Sequence, residues 1–547
     1  MKNATISHSF PVPDIGSVTS VYLDELKKIS RDKVRLEKEN NYLHEMIRLL
    51  KHQLYGRKSE KSQLTDDEFN QKLLFEELEK ELDENPEEVE EIEIKSYKRN
   101  KKGSKKLPDS LPSHDEIHDI PDSDKVCGCG CQKRCIGEEV TEKLEMLPAY
   151  HWKLRIIRPK YACPDCEGVE SEESVVTVAP MPVQLIPKSI ATPSLMANII
   201  VGKFCDSLPF YRQEKQFDRY GISISRSRMS DWTMKVGALC KPLVDLLKQS
   251  LLRGPLLNVD ETQLQVLHED GRESQTKSWM WVMRGGPPGQ TGIYYHYSEH
   301  RNGATLSDLI ENYRGVVQTD GYSGYNFLDR REGIIHVGCW AHVRRKFHDV
   351  IKPVEAKGKN KKRKPGKADE ALSRIGKLYL IEKRCRDLRL TPEEVYQKRQ
   401  EESRPIIEKF KEWLQKSALV TPPKSKLGEA INYALGQWHS LVRYLDEPVV
   451  GMDNNLAENA IRPFVIGRKN WLFFDQPEGA EAGAKLYSLI ETAKANQLEP
   501  YSYLLYIFSK LPHIMTDDKK ELEKLLPYTL TQEILTDYRN QYEKRIL

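Results

Sequence analysis

The most regular apolar pattern near the N-terminus covers residues 26–54. Leucine and isoleucine fill most of its a and d positions, at Leu26, Ile29, Leu36, Leu43, Ile47, Leu50 and Leu54. A 3.5-residue period of this length predicts a coiled coil, and Asn40 at a buried a position favours a parallel dimer in one register. The alternative is an amphipathic helix that packs on its own domain. We assign residues 1–62 to the N-terminal coiled coil.

Short apolar runs with alternating polar positions predict strands between residues 251 and 350. The runs LLNVDETQLQVLHED, SWMWVMRGG and TGIYYHYSEH precede helical spacing in NGATLSDLIENY and a last run, VVQTDGY. Three strands, a helix and a fourth strand are the order of a ribonuclease H-like core. Helical spacing over 351–447 predicts an insertion, followed by the second part of the core at 448–495 and a C-terminal helical element at 496–547. The fold class is therefore multidomain α/β.

Residues 181–250 show the spacing of several helices. In FDRYGISISRSRMSDWTMKVG, a helix is followed by a turn at Gly221 and a second helix, with Ser225 or Ser227 as its N-cap. The polar face of the second helix carries Arg226, Arg228 and Lys235. This layout is that of a recognition helix in a DNA-binding helix-turn-helix. Three-helix units of this kind are also common as structural elements.

Charge changes this picture only locally. The 547 residues include 85 basic and 82 acidic side chains, for a net charge of +3, so affinity for DNA must come from local clusters. Residues 63–115 hold an acidic block and then a basic block, which predicts a charged linker. Because no apolar run approaches 18 residues and the N-terminus lacks the pattern of a signal peptide, we expect a cytoplasmic protein with no membrane partner.

Six of the ten cysteines are clustered within residues 116–180. They form two groups, Cys127, Cys129, Cys131 and Cys135 in the first and Cys163 and Cys166 in the second. Two close thiolate pairs joined by a β-type stretch match the four soft ligands of a structural Zn2+ site. In a reducing compartment metal binding is favoured over disulfides. We expect Cys163 and Cys166 to share Zn2+ with two residues of the first group, preferably Cys127 and Cys129.

Three carboxylates are candidates for a second metal site. Asp260 lies in the first predicted strand, Asp320 ends the fourth, and Glu458 lies near the start of a later helix that faces the sheet. Carboxylates about 4 Å apart repel by roughly 4 kcal/mol at an effective dielectric constant near 20, so the trio calls for cations. Two Mg2+ or Mn2+ ions would relieve the repulsion and support displacement at phosphorus. Glu261 and Asp453 are the nearest alternatives for the third carboxylate.

Local residues predict where the helix that carries Glu458 begins and where it breaks or kinks. Residues 453–455 are good N-caps, and Pro463 predicts a break or kink after the first two turns.

Several longer motifs occur in order along the chain. They are LYGRKSEK, RPKYACPDC, LPFYRQEKQF, NVDET, TDGYSGYN, CWAHVRRKF and DNNLAENAIRPFVIGRKNWLFF. In these motifs the chain closely resembles the DDE transposases of the insertion sequence sixty-six family. The resemblance implies that Asp260, Asp320 and Glu458 are the catalytic triad. One departure is Asn459, where the family usually has arginine.

The resemblance also implies partners and supporting residues. The expected activity is binding of the terminal inverted repeats of a bacterial insertion sequence, followed by metal-dependent strand cleavage and strand transfer to target DNA. A homodimer or higher oligomer and companion proteins of the same element are expected. The candidates for phosphate contacts near the site are Arg344, Arg345, Lys346, Arg468 and Lys469. The alternative for each is a solvated cation on a helix or loop. Cys339 and His342 form the C-x-x-H pair that follows the second aspartate; from the residues alone they are packed at the start of a helix.

Two other functions share parts of this pattern. A non-catalytic regulator would use the zinc module and the helix-turn-helix but would tolerate loss of the carboxylates. A ribonuclease H-like nuclease would use the carboxylates but would need neither a dimerising coil nor modules specific for DNA ends. Because all three carboxylates are present, the sequence favours the transposase.

Overall fold

The computed structural model describes residues 150–162, 176–357 and 366–544, together with six helical positions between residues 32 and 40. The side chains of residues 352–357 are not among those described. Most of the predicted coiled coil and all of the charged linker at 63–115 lie outside the described residues. The predicted zinc ligands also lie outside them, namely Cys127, Cys129, Cys163 and Cys166.

The chain divides into two compact units, of which the smaller spans residues 86–182. In this unit β1 (Lys160–Ala162) pairs antiparallel with β2 (Val176–Val178). Arg158 Nη1 donates to the carbonyl oxygen of Ala179 at 2.9 Å, just beyond the strand pair. The β-type stretch predicted before Cys163 therefore ends in a short strand.

From residue 183 onward, the larger unit starts with four helices. They are α1 (Pro193–Phe204), α2 (Phe210–Arg219), α3 (Arg226–Leu239) and α4 (Lys241–Leu251). Ser225 caps α3, since its Oγ accepts from the backbone N–H of Arg228 at 3.3 Å. Gly221, in the turn before it, has φ +71°, a conformation that glycine adopts without steric strain. The predicted helices and turn are confirmed, with Ser225 and not Ser227 as the cap.

A five-stranded sheet forms the centre of the larger unit. Its strands are β3 (Leu256–Gln265), β4 (Lys277–Gly285), β5 (Gly292–Ser298), β6 (Gly315–Gln318) and β7 (Ile334–Val337). The spatial order is β5-β4-β3-β6-β7; β4 is antiparallel to its neighbours β3 and β5, β6 is parallel to β3, and β7 is parallel to β6. Helix α5 (Gly303–Leu309) connects β5 to β6. The predicted order of three strands, a helix and a strand is confirmed, and β7 was not predicted.

Side chains of β3 and β4 alternate between two cores, as the two-residue period of a strand requires. One face, with Leu264, Val266 and Val282, packs in a cluster with residues of the four N-terminal helices and of the C-terminal helices. The opposite face, with Leu257 and Val259, packs in a second cluster that includes residues of α5. The sheet is therefore covered on both sides, and polar side chains at its strand ends are enclosed.

The helical spacing predicted for 351–447 is observed as helices, and the first of them already begins at Trp340, inside the segment predicted as core. They are α6 (Trp340–Lys357), α7 (Lys367–Asp387), α8 (Pro392–Lys398), α9 (Arg404–Leu419), α10 (Lys426–Gly436) and α11 (Trp438–Val442). Trp340, Phe347 and Phe410 lie in their core, which also includes Val316 of β6 and Val337 of β7. The insertion thus packs on the β6–β7 side of the sheet.

The chain then returns to the sheet and ends in helices. These are α12 (Asn455–Trp471), α13 (Pro477–Ala495), α14 (Pro500–Lys510), α15 (Lys519–Glu523) and α16 (Gln532–Lys544). Helix α12 continues past Pro463, so the prediction of a break there is wrong. Phe464, Val465 and Trp471 are buried after the proline, and this packing offsets the missing hydrogen bond. Among the described helices, none is long and apolar enough to cross a membrane.

Candidate active site

Two adjacent parallel strands place Asp260 beside Asp320. In the register of β3 and β6, Asn258 is the partner of Gln318. Asp260 lies two residues further along β3, and Asp320 lies two residues further along its own strand, just past the end of β6. Both aspartates are half-buried. Since neighbouring strands are about 4.8 Å apart, equivalent positions at the same edge bring these carboxylates close together.

Helix α12 brings Glu458 to the same edge. The side chain of Glu458 is only 10% exposed and lies in the first turn of the helix. Asn454 occupies the N-cap position, but its side chain does not cap the helix. Instead, Nδ2 of Asn454 donates to the carbonyl oxygen of Val259 at 2.7 Å. This bond fixes the start of α12 on strand β3, next to Asp260.

A buried cluster of three amide side chains connects the elements that carry the carboxylates. Nδ2 of Asn258 donates to Oε1 of Gln318 at 2.8 Å and to Oδ1 of Asn454 at 3.1 Å. Gln318 in turn donates from Nε2 to the carbonyl oxygen of Gly451 at 2.8 Å. All three amides are buried. They precede Asp260, Asp320 and Glu458 by only a few residues, so the cluster holds the three carboxylate-bearing segments in register.

The carboxylates perturb one another. Burial raises the pKa of Asp260 well above its ordinary value, and the nearby Glu261, Glu458 and Asp320 raise it further. Burial raises the pKa of Glu458 to about 8, with Arg345 opposing the shift and Asp320 adding to it. The pKa of Asp320 is also raised by burial, against lowering by the Tyr322 N–H and two arginines. The charge of Asp320 thus acts on both Asp260 and Glu458, as expected for neighbouring acidic groups.

Cys339 and His342 lie against Glu458. Cys339 comes immediately before α6 and is 2% exposed, and His342 lies in the first turn of that helix. The distance between His342 Nδ1 and Glu458 Oε1 is 3.8 Å. Burial lowers the pKa of His342 to about 3, and Arg345 and Lys346 lower it further, so the imidazole is neutral at pH 7. The structure thus places a buried Cys339 and a partly exposed His342 at the start of a helix, beside a candidate catalytic carboxylate.

Glu261 points to the opposite face of the sheet from Asp260. Its carboxylate accepts a hydrogen bond from Arg301 Nε at 2.6 Å and another from the hydroxyl of Tyr325. The Arg301 guanidinium in turn lies over the ring of Tyr322, 3.9 Å from its centroid. Because its oxygens have a cation and a hydroxyl as partners, Glu261 fits a structural role and not that of the third carboxylate.

The cations predicted near the site differ in their surroundings. Arg344 is buried, with 6% of the residue exposed. Arg345, the next residue, is half-buried and lowers the pKa of both Asp320 and Glu458. Arg468 is half-buried and donates from Nη1 to Oγ1 of Thr262 at 2.9 Å. Lys469 is also half-buried.

The three basic residues predicted on the recognition helix are exposed, namely Arg226, Arg228 and Lys235. Nζ of Lys235 is 2.9 Å from Oδ2 of Asp231, one helical turn earlier. The opposite face of α3 buries Met229, Trp232 and Val236. The helix therefore presents its cationic face to solvent from a fixed position.

Sequence reasoning missed two residues at the site. Arg301 follows β5, and its positive charge lowers the pKa of Asp320. Tyr433 comes from α10 of the helical insertion, and a Cβ at Gly321 would lie 2.2 Å from its hydroxyl oxygen. Glycine directly after Asp320 was the available signal, since it marks a close approach by another element. The residue that makes this approach was not predictable from the sequence, because it lies in a distant helix.

Comparison with protein families covers most of the chain. Residues 188–482, more than half of the protein, match the model described as "Transposase IS66 family". Residues 488–528 match "IS66 C-terminal element", and residues 124–167 match "zinc-finger binding domain of transposase IS66". Residues 42–115 match "Transposase C of IS166 homeodomain". The chain therefore belongs to the IS66 family of transposases, as the sequence motifs predicted.

Curated relatives are similar over most of their length. Uncharacterized protein y4jD of Sinorhizobium fredii is 32% identical over 437 residues, which cover 77% of this chain and 81% of the relative. Uncharacterized protein y4qI of the same organism is 30% identical over 502 residues, which cover 89% of this chain and 88% of the relative.

Proposed function

We propose that the protein is a DDE transposase with a ribonuclease H-like core, and that Asp260, Asp320 and Glu458 form its catalytic triad. The observation that carries this proposal is the convergence of the three carboxylates. Asp260 comes from the central strand β3, Asp320 from the end of the parallel neighbour β6, and Glu458 from helix α12, whose start is bonded to β3. The strand order, with three antiparallel strands followed by two parallel ones, supports the same core.

The donor set fits hard divalent cations. Mg2+ and Mn2+ prefer carboxylate oxygens, and a cluster of partly buried carboxylates is unfavourable without them, because like charges repel. Oε1 of Glu458 is buried and lacks a hydrogen-bond partner among the described residues. Asp260, Asp320 and Glu458 would hold the ions, which when bound activate the attacking water or hydroxyl and stabilise the leaving oxygen.

Other residues would bind and orient DNA. Arg345, half-buried beside two of the carboxylates, is placed to contact a phosphate that enters the site. Arg468 and Lys469, at the end of α12, remain candidates for the same role. Arg226, Arg228 and Lys235, exposed on α3, would contact the terminal inverted repeats.

A structural zinc and self-association complete the proposal. The match at residues 124–167 to a zinc-finger model supports Zn2+ bound by Cys163, Cys166 and two cysteines of the first group, preferably Cys127 and Cys129. Dimerisation through residues 26–54 would bring two active sites to the two ends of the element. Companion proteins of the same element remain an expectation from the family.

The test is Glu458→Gln in an assay with labelled element-end DNA and Mg2+. Glutamine keeps the size of the side chain but removes its charge. We expect the variant to shift the DNA in a gel like the parent and to give no detectable nicking or strand transfer, because the lost interaction acts on the transition state. Asp260→Asn and Asp320→Asn should behave alike. Glu478→Gln, an exposed change at the start of α13, is the matched control and should retain activity.

Other outcomes distinguish the alternatives. If all three variants match an active parent, the triad assignment is wrong. A parent that binds the ends but shows no metal-dependent cleavage would favour a regulator. Cleavage without joining of the 3′ end to target DNA would favour a ribonuclease H-like nuclease.

A further inference from the structure

A second group of possible metal ligands adjoins the triad. The Cys339 sulfur, one imidazole nitrogen of His342 and one carboxylate oxygen of Glu458 all lie within 4.8 Å of one another. Within the described part of the chain, this is the only group of three or more histidine, cysteine and acidic residues that is so compact. Two of its members come from the start of α6 and the third from the start of α12, so two helix N-terminal segments converge on one point.

Two polar atoms in this group lack partners. His342 Nδ1 and Glu458 Oε1 are both buried, and neither has a hydrogen-bond partner among the described residues. Their separation of 3.8 Å is too long for a direct hydrogen bond. A buried polar atom without a partner costs about 1–3 kcal/mol, so two such atoms beside a thiol are the signature of a missing ligand.

We propose that Cys339, His342 and Glu458 bind one Zn2+ or a similar transition-metal ion, at a site that shares Glu458 with the triad. One sulfur, one imidazole nitrogen and one carboxylate oxygen are the donors of a three-ligand zinc site with an open fourth position. Mg2+ would not select this set, because hard cations avoid thiolate and imidazole. The donor chemistry therefore separates this site from the all-carboxylate site next to it.

The spacing of the donors fits such an ion. Ligands about 2.0–2.3 Å from a tetrahedral ion lie roughly 3.3–3.8 Å from one another. The His342–Glu458 distance of 3.8 Å is already at the edge of this range, and because all separations lie within 4.8 Å, closing the site needs a shift of at most about 1 Å. Charge also balances, since a thiolate and a carboxylate together neutralise a divalent ion. Binding would release the thiol proton to solvent.

The neighbours of Cys339 favour its role as a ligand. The backbone N–H of Asn454 donates to the sulfur at 3.2 Å, as N–H groups do to metal-bound thiolates. The same Asn454 also bonds the β3 backbone at Val259, so the sulfur is attached to the framework of the triad. A simple packing role for Cys339 would not require two unpartnered polar atoms beside it.

The site has a consequence for activity that rests on the proposed function. Glu458 cannot complete both sites at once with the same carboxylate oxygen. Zn2+ held by Cys339 and His342 would therefore withdraw Glu458 from Asp260 and Asp320, and zinc and Mg2+ would compete. The metal site itself stands on geometry and donor chemistry alone.

The test is a Co2+ titration of the full-length, zinc-loaded protein without DNA, followed by absorption spectroscopy. Co2+ bound to a thiolate gives a charge-transfer band that Co2+ bound only to carboxylates lacks. We expect the parent to bind one more Co2+ per chain with this band than Cys339→Ser binds. His342→Gln and Glu458→Gln should weaken this binding at least about tenfold. Cys240→Ser, which removes another fully buried cysteine, is the matched control and should leave the band unchanged.

The outcomes separate this inference from the proposed function. An unchanged band in Cys339→Ser, or a parent without a band beyond that of the zinc module, would overturn the site. If Cys339→Ser does not fold, the conservative Glu458→Gln variant decides, since undiminished Co2+ affinity there would also overturn it. If the parent shows the band, the variants bind Co2+ more weakly and Glu458→Gln still cleaves DNA at the parental rate, the Cys339–His342–Glu458 site is retained and the triad is rejected. If the parent lacks the band and Glu458→Gln is inactive in cleavage, the Cys339–His342–Glu458 site is rejected and the triad is retained.

Discussion

Replacing Glu458 by glutamine should stabilise the metal-free protein at neutral pH. Burial raises the pKa of Glu458 from 4.5 to about 8, so the folded state holds a proton that the unfolded chain releases. The contribution of this group to stability is full below pH 4.5 and is lost as the pH rises toward about 8. Glutamine does not titrate, so the variant should not show this loss.

The size of the stabilisation expected from Glu458→Gln follows from the raised pKa of Glu458. Between pH 4.5 and pH 7 each pH unit changes the free energy of unfolding by about 1.4 kcal/mol, which gives about 3 kcal/mol for Glu458. The glutamine amide adds little penalty, because Oε1 of Glu458 already lacks a partner among the described residues. If residues 183–547 of the larger unit unfold cooperatively, about 3 kcal/mol corresponds to a rise of about 4 °C in Tm.

The assay is thermal unfolding of parent and variant, with a chelator that spares the structural zinc, at pH values from 4.5 to 8. The difference in Tm should be near zero at the acidic end and largest at the basic end. Mg2+ should raise the Tm of the parent more than that of the variant. Glu269→Gln is the control, because Glu269 is equally buried but accepts hydrogen bonds from Arg272, Ser278 and Tyr297. That change should destabilise by about 1–3 kcal/mol.

A Glu458→Gln variant that is less stable than the parent at pH 7 would refute this reasoning. So would a Tm difference that is independent of pH, because burial of an ionisable carboxylate would then not be the cause. Either result would mean that Glu458 has a stabilising partner in the metal-free protein.

Three further predictions concern other parts of the chain. Metal analysis of the chelator-free protein should find structural zinc, and Cys163→Ser should lose about one equivalent and stability; full zinc content with native stability would contradict the assignment. The isolated segment 26–54 should sediment as a dimer, and a monomer at tens of micromolar would exclude the coiled coil. Asn454→Ala should lower stability by about 1–3 kcal/mol and slow cleavage, because it removes the hydrogen bonds that join Asn454 to the Asn258 amide and to the Val259 carbonyl. Parental stability and rate in this variant would show that the amide cluster does not position the triad.

The order of elements was predictable from the chain because the signals are local. Alternation marked β3, β4 and β5, helical spacing marked the insertion, and Gly221 with Ser225 marked the turn and cap before α3. The four-residue strand β7 was too short for its period to be recognised. Pro463 was misread, because its effect on α12 depends on the buried side chains that follow it.

The choice among neighbouring carboxylates was not predictable in the same way. Asp260 and Glu261 are adjacent in sequence, and the sequence left Glu261 and Asp453 as alternatives for the third position. The pleat of the sheet separates the first two, and Arg301 together with Tyr325 occupies Glu261 on the far face. The role of Asn454 was likewise hidden, since an N-cap residue was expected to bond its own helix and bonds Val259 instead.

By itself, the sequence determined the family, the succession of strands and helices and the three candidate carboxylates, since residue types and periods are properties of short segments. The tertiary structure alone decided which polar groups meet. Asn258 and Asn454 are 196 residues apart and share a hydrogen bond, and Glu458 shares one enclosed space with Asp260, Cys339 and His342. These contacts between residues far apart in the sequence depend on how α6 and α12 pack against the sheet. Packing is set by the sum of many buried contacts, which no single stretch of sequence records.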